Sequence, residues 1–536
     1  MNQKLNKKIY SNLLRLIKSP INYLRELESL EAYNAISIIT DLHSDVIPSA
    51  KRLLIDGHFL NPGYFYRLQI FRAAVGSRFG EEHAFIWRYK MAECQRALGA
   101  LGIQNIQLYF PEPDPRFRSQ AKRLFQSIRS VRDLLNLAFP YEVPASFLYD
   151  DILKRQRLAS VNLDDPMVEY HIWEFLSSIH AAANLLEKVN PDLVAMSHSV
   201  LMQCAPISWL AAKKKIPVVT LFGNYGLPRF WRIDKPEDIY YGMDRPGSSD
   251  LDLLSLSRAD ELRSIGEQYL EKRFSGQTND IGGRMAFADS GSYASKLPPA
   301  KAKPIIAVYA SNWFDFPHAL GMDYFDDFLD WIKLTLQAAI DNPSVQWIFR
   351  AHPCDRWYGG ITLQDLIPGM LPSHVKLLSD DISGSDIMNI ADALVTYHGT
   401  AGIEFASLGK PVLVSDRGWY HDCGFAVFPK SREHYLKLLG EDWYKQVDTL
   451  SIKERAKIFA GWYFCCPSWQ AEFTLPDDSD RRNQVRLLKG DFLSSSNQAI
   501  GMEVALVREW LKSGTRGYHT FKMAKADAYA LSNVIN

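Results

Sequence analysis

The chain has 536 residues, more than one ordinary core can serve, so two or more domains are expected. Hydrophobic residues make up 47% and charged residues 23%, the proportions of a globular protein, and Lys+Arg and Asp+Glu both number 61. A net charge of zero gives no global basic field, which argues against nucleic acid as a partner and makes any anion site a local one.

Taken in chain order, the N-terminus MNQKLNKKIYSNLLRLIKSPINYL is basic and amphipathic, without the unbroken apolar core and cleavage site of a signal peptide. It reads as an ordinary capping helix with a solvated basic face; a surface anchor on anionic lipid is the alternative. No run of about 18 apolar residues exists, so no spanning helix is expected. The six cysteines (Cys94, Cys204, Cys354, Cys423, Cys465 and Cys466) contain no C-x-x-C pair, which fits reduced thiols rather than disulfides or a zinc site. The expected location is cytoplasmic, with peripheral contact at the inner membrane left open.

Residues 35–39, 105–110 and 193–196 read as strands, and residues 91–101 and 200–213 as helices. Asp41, His43, Asp45, Asp56 and His58 cluster near strand ends without an assigned role. The run Asp192-Leu-Val-Ala-Met-Ser-His198 brings its polar residues to the carboxyl end of a strand. A helix over 201–213 and a strand over 218–222 complete βαβ logic. Asn224, Arg229 and Arg232 follow as candidate substrate contacts. Residues 274–303 are rich in Gly, Ser, Lys and Pro and read as the domain linker.

A second βαβ series follows: strand 304–309, helix 324–340, strand 346–350, strand 393–397 and strand 412–415. Asn312 and Asp315 fall in the loop after the first of these strands, where a carboxylate suits deprotonation of an acceptor hydroxyl or stabilisation of a developing cation. A helix cap is the plainer reading of Asp315. Arg350, His352 and Pro353 follow the third element; arginine offers a fixed fork of donors to phosphate, and histidine can donate to phosphate or protonate a leaving group. His398-Gly399-Thr400 turns from a strand into a short helix, whose unpaired N–H groups and dipole favour a phosphate. Glu404 lies about one turn on and is a candidate ribose partner. Arg417 adds charge, while Trp419 and Tyr420 either stack on a base or sugar or pack their loop. A helix over 499–512 closes the C-terminal domain or crosses back to the first. There is no Walker A loop, G-x-G-x-x-G, H-E-x-x-H or G-x-S-x-G motif.

Four segments together resemble the bacterial capsule-polysaccharide synthesis family, which includes retaining β-Kdo transferases that use CMP-Kdo. They are Asp238-Ile-Tyr-Tyr241 with Arg245-Pro246 and Ser249-Asp250-Leu251, then Ser311-Asn-Trp-Phe-Asp315, then Phe349-Arg-Ala-His-Pro353, then Glu404 with Gly409-Lys-Pro-Val412 and Trp419-Tyr420. The resemblance spans roughly residues 190 to 430. Two positions depart from it: an acidic family segment becomes Asn224-Tyr225-Gly226, and its Ser-Gln-Tyr-Gly turn becomes His398-Gly-Thr-Ala-Gly402.

The resemblance implies an α/β, GT-B-like fold of two Rossmann-like domains facing across a cleft. Residues 1–290 would form the acceptor-side domain with a helical extension, 300–513 the nucleotide-sugar domain, and 514–536 a tail. It implies transfer of Kdo or a related nonulosonic acid from a CMP-sugar to a capsule, O-antigen or lipopolysaccharide acceptor, a glycan or glycolipid. Asp315 and His352 would be catalytic; Arg350, His352, Pro353, His398, Gly399, Thr400 and Glu404 would hold the nucleotide. Nothing resembles a metal-binding D-x-D, Asp380-Asp381 being a loose acidic pair, so no metal or cofactor beyond the donor substrate is expected. The rivals are another GT-B enzyme (a UDP-sugar or CDP-polyol transferase, or a nucleotide-sugar 2-epimerase) and a non-catalytic glycan-binding partner.

Overall fold

Short β-branched and apolar runs bounded by polar turns become the strands of two separate sheets. The computed structural model describes residues 20–43, 50–88, 90–110, 112–200, 203–224, 227–241, 244–278, 280–287, 303–355, 359–367, 369–379, 382–465, 475, 480–490, 493 and 497–532. Residues 1–19, Asp45, Tyr225, Gly226, most of the linker (288–302), Asp380, Asp381 and Cys466 lie outside the described residues.

The first sheet has the order β3-β2-β1-β4-β5-β6. Its strands are β1 (Arg52–Asp56), β2 (Glu81–Trp87), β3 (Asn105–Phe110), β4 (Leu193–Met196), β5 (Val218–Asn224) and β6 (Leu227–Ile233). The first five run parallel and β6 returns antiparallel beside β5. The second sheet is wholly parallel, in the order β11-β10-β7-β8-β9. It is built from β7 (Ile305–Tyr309), β8 (Gln346–Arg350), β9 (Val375–Leu377), β10 (Ala393–Thr396) and β11 (Val412–Val414). This is the expected α/β class, with two Rossmann-like halves.

Alternate strand residues point to opposite faces. Leu53 and Ile55 join one apolar layer, with α1 (Pro62–Val75), while Leu54 joins another. That second layer continues through α2 (Ala145–Gln156), by Phe147, Leu148 and Ile152, to Trp313, Phe314 and Phe325 and on to one face of the second sheet. A single apolar layer therefore joins the two halves beside the cleft. The second sheet's other face is covered partly by α3 (Leu256–Phe274), α4 (Ala401–Ser407) and α5 (Thr449–Phe464). Helices α3 and α5 cross at Gly266 and Gly461, where a Cβ on either residue would collide with the other helix's main chain.

One expectation is corrected, and one left open is decided. Residues 35–39 are not a strand but part of the helix Pro20–His43, whose Ala32, Ile36 and Ile39 recur at helical spacing into the apolar layer under α1. Helix α6 (Asn497–Ser513) crosses back to the first half, where Val504, Val507 and Trp510 join the layer that holds α1. α7 (Tyr518–Ser532) follows it, and Asp244 fixes its start by accepting from the N–H groups of His519 and Thr520 and from the Thr520 hydroxyl at 2.8 Å. Burial pushes the Asp244 carboxyl up to about 6, against Arg229. Within the expected linker, α3 runs through Phe274 and a short helix covers Ile281–Ala286. No helix among the described residues is long and apolar enough to cross a membrane. The described cysteines, Cys94, Cys204, Cys354, Cys423 and Cys465, are free thiols.

Candidate functional site

Loops leave the carboxyl ends of β7, β8, β10 and β11 on one edge of the second sheet, where ligands of parallel sheets bind. Asp315, in the loop after β7, is half-exposed and takes an ion pair from Lys154 of α2 at 2.8 Å. The Lys154 ammonium also sits 4.9 Å from the centroid of Phe316, a non-glycine residue held at φ 53°. Asp315 is therefore not a helix cap; Asp327 fills that role for the helix Phe328–Asp341, accepting from the Asp330 N–H at 2.8 Å. Asn312 is buried and donates to Asp355 at 3.0 Å, tying the β7 and β8 loops together.

His352 stands just past β8, next to half-buried Pro353. Burial holds its imidazole down at about 4, with Asp315 pulling the other way, Arg350 adding to the depression and Asp280 opposing it. Its Nδ1 accepts from the Cys354 N–H at 3.2 Å. A neutral ring accepting at Nδ1 carries its proton on Nε2. At neutral pH His352 is thus a hydrogen-bond donor and not an imidazolium acid.

Arg350 does not offer its fork to the cleft. It is buried, and donates to the carbonyls of Ala286 and Ile382, both at 3.1 Å, and to the Tyr309 hydroxyl at 3.3 Å. The carbonyl that ends the helix Ile281–Ala286 and that of Ile382 take the donors expected for phosphate.

The turn after β10 is partly self-satisfied. The Gly399 N–H donates to Thr396 Oγ1 at 3.2 Å, and the Gly402 N–H to the Gly399 carbonyl at 2.9 Å. The N–H groups of Thr400 and Ala401 have no protein acceptor among the described residues, and the Thr400 hydroxyl makes no cap bond. His398 is brought down to about 4 by burial, against the Arg417 main chain. Trp419 and Tyr420 are buried; the Trp419 indole donates to the His398 carbonyl and the Tyr420 hydroxyl to that of Gly399 at 2.6 Å. They brace the turn and present no stacking face.

Glu404 faces inward from α4 and is 3% exposed. Its Oε1 accepts from Arg273 Nε at 2.6 Å, and Arg273 also pairs with Asp280 at 2.5 Å. Asp280 in turn caps the helix Ile281–Ala286, accepting from Gly283 N–H at 2.6 Å. Lys154, Arg273 and Asp280 were absent from the sequence-based set. They come from the other half or from the linker and have no local signal.

The remaining candidates are dispersed. Arg229 is 2% exposed and locks β6 to the second half through the carbonyls of Asp244, at 2.8 Å, and Tyr463. Arg232 pairs with Asp234 at 2.9 Å and Arg417 with Asp323 at 2.5 Å. Asn224 ends β5 opposite Leu227, and its side chain lies outside the described set. Among the described residues no group of three or more His, Cys, Asp or Glu is placed to hold a metal ion.

Two Rossmann-like sheets, the second with polar side chains along its carboxyl edge, frame the candidate site. No family model matches the chain, and no curated protein matches it. Solved structures do align. A UDP-GlcNAc 2-epimerase from Neisseria meningitidis, bound to UDP-GlcNAc, is 14% identical over 77% of this chain and 96% of its own, with a TM-score of 0.24. Thermosulfurimonas dismutans KpsC, a beta Kdo 2,4 transferase, is 17% identical over 51% of this chain and 79% of its own, with a TM-score of 0.32. The glycosyltransferase SnogD from Streptomyces nogalater is 13% identical over 77% and 95%, with a TM-score of 0.24.

Proposed function

We propose that the protein is a glycosyltransferase that takes a CMP-activated sugar, Kdo or a related nonulosonic acid, and passes it to a surface-polysaccharide glycan or glycolipid. The observation that supports this reading is that the loops bearing Asp315, His352 and Thr400 leave the carboxyl ends of the neighbouring strands β7, β8 and β10. Each comes from a segment whose sequence resembles the CMP-Kdo-using family, or lies beside one. The Nε2–H of His352, with the hydroxyl and N–H of Thr400, would donate to the CMP phosphate. Glu404, fixed by Arg273, would offer its second oxygen to the ribose. As the bond to the anomeric carbon breaks, charge grows on the leaving phosphate, and donors already in place stabilise it without reorganising. Asp315 would act at the reacting carbon as base or nucleophile, the latter giving retention, with Lys154 holding its carboxylate in place.

Thermal stabilisation of the purified protein by CMP, CDP, UDP and GDP at matched concentrations tests the donor. A ligand that binds only the folded state raises the melting temperature according to its affinity. Selective stabilisation by CMP is expected. Selective stabilisation by UDP or CDP would replace the donor with that of a rival GT-B enzyme, and no response to any of the four would remove the reading.

A further inference from the structure

The carboxyl edge of the first sheet carries an aromatic and imidazole cluster that the donor-side chemistry does not use. β2, β1, β4 and β5 are parallel neighbours, so their ends open on one side. Trp87 closes β2, His58 and Phe59 follow β1, His198 follows β4, and Phe222 lies near the end of β5. All five side chains are half-buried. Their rings meet edge to face, His58 with Trp87 at 5.5 Å, Phe59 with His198 at 4.8 Å and His198 with Phe222 at 5.9 Å.

A buried carboxylate orders this cluster from below. Asp56, 1% exposed, accepts from the N–H groups of His58 at 2.9 Å and Ser197 at 3.2 Å, and from the Ser197 hydroxyl. The single hydroxyl proton of Ser197 goes to Asp56. The 3.0 Å contact between Ser197 Oγ and His198 Nδ1 therefore has His198 Nδ1 as donor. His58 Nδ1 is buried with no hydrogen-bond partner among the described residues. Burial lowers the pKa of His58, against Asp56.

Aromatic surface beside two imidazoles, that of His198 held by Ser197, suits a sugar ring. The apolar C–H face packs on the aromatics, and hydroxyls exchange hydrogen bonds with the ring nitrogens. We infer that this edge binds a pyranose unit of the glycan acceptor, with Trp87 and Phe59 as the packing surface and His58 and His198 as hydroxyl partners. The inference rests on the glycosyltransferase reading for the word acceptor, but its own content is a carbohydrate subsite on the first sheet.

An array of immobilised bacterial surface oligosaccharides, probed with the full chain, tests it. The wild type should retain a subset of the oligosaccharides. Trp87→Ala and His58→Ala should bind that subset at least about tenfold more weakly, while Trp87→Phe, which keeps an aromatic face, stays within about threefold. All three variants should keep the wild-type thermal response to CMP, which also shows that they fold. Should a variant fail to fold, hydrogen exchange on the wild type decides. The retained oligosaccharide must protect the segments around 56–60, 86–88 and 197–199. A wild type that retains no oligosaccharide, an alanine variant that binds as well as the wild type, or no protection at these segments would overturn the subsite. Glycan retention without any CMP response would instead retire the donor reading and leave this one standing.

Discussion

Arg273 Nε stands 2.6 Å from Glu404 Oε1, and both side chains are 4% exposed. The pair joins α3 to α4 beneath the turn that begins at His398. Breaking a buried ion pair by removing one partner costs about 3–5 kcal/mol, because the other charge stays buried and unpaired. Arg273→Met should therefore lower unfolding free energy by about 3 kcal/mol, and the double variant Arg273→Met/Glu404→Met should recover a large part of that loss. Urea denaturation of the four proteins measures the coupling; strict additivity would show that the pair is not a unit.

The Lys154–Asp315 pair presents the opposite energetic case. Its side chains are 34% and 46% exposed, so solvent screens it, and Lys154→Met should change stability by less than about 1 kcal/mol. If Asp315 acts at the reacting carbon, Asp315→Ala abolishes transfer yet leaves stabilisation by CMP near the wild-type value. Lys154→Met should lower kcat with KM for the donor little changed. Full transfer by Asp315→Ala would end the assignment.

His352 and His398 both sit at about 4, below the ordinary histidine value of 6.5. Between these values the unfolded chain binds a proton that the folded chain does not, so each residue makes stability fall as the pH drops from 6.5 towards 4. From pH 7 to pH 5 the cost is at most about 2 kcal/mol per histidine. His398→Gln should therefore lose less stability than the wild type over that interval, in denaturant midpoints taken at both pH values. The same depression means that His352 contributes no ionisation to a rate profile between pH 5.5 and 8. His352→Gln, which keeps an N–H donor, should retain more CMP binding than His352→Ala.

The strands that shape the site were legible because buried parallel strands read as short apolar runs ending in polar residues, as in the segments that deliver Asp315, His352 and Thr400. The run at 35–39 has the same look and is helical. Five residues are too few to show a period, and the decisive contacts come from the apolar layer under α1. Arg350 and Arg229 were the clearest overreadings as ligand contacts. Arg350 ends β8 as expected and Arg229 lies inside β6, but main-chain carbonyls of other segments take their donors. Lys154 and Arg273 are the converse. They meet Asp315 and Glu404 across 161 and 131 positions, a pairing that no local pattern carries.

The crossing of α3 and α5 links stability to the site. At Gly461 a Cβ would collide with the Leu262 carbonyl oxygen, a main-chain atom that cannot rotate aside. Gly461→Ala must then push the helices apart, which costs about 3 kcal/mol or more. Gly99, in the helix Met91–Ala100, has nothing within 4 Å of its would-be Cβ. Gly99→Ala should be neutral or stabilise by up to about 1 kcal/mol, so it controls for helix propensity. Because α3 carries Arg273 to Glu404, displacing it should also loosen the carboxylate proposed to meet the ribose. Gly461→Ala is thus expected to lose CMP stabilisation along with unfolding free energy, and Gly99→Ala to lose neither. Urea denaturation with and without CMP reads both effects, and an unimpaired Gly461→Ala would show that the two helices can part without cost.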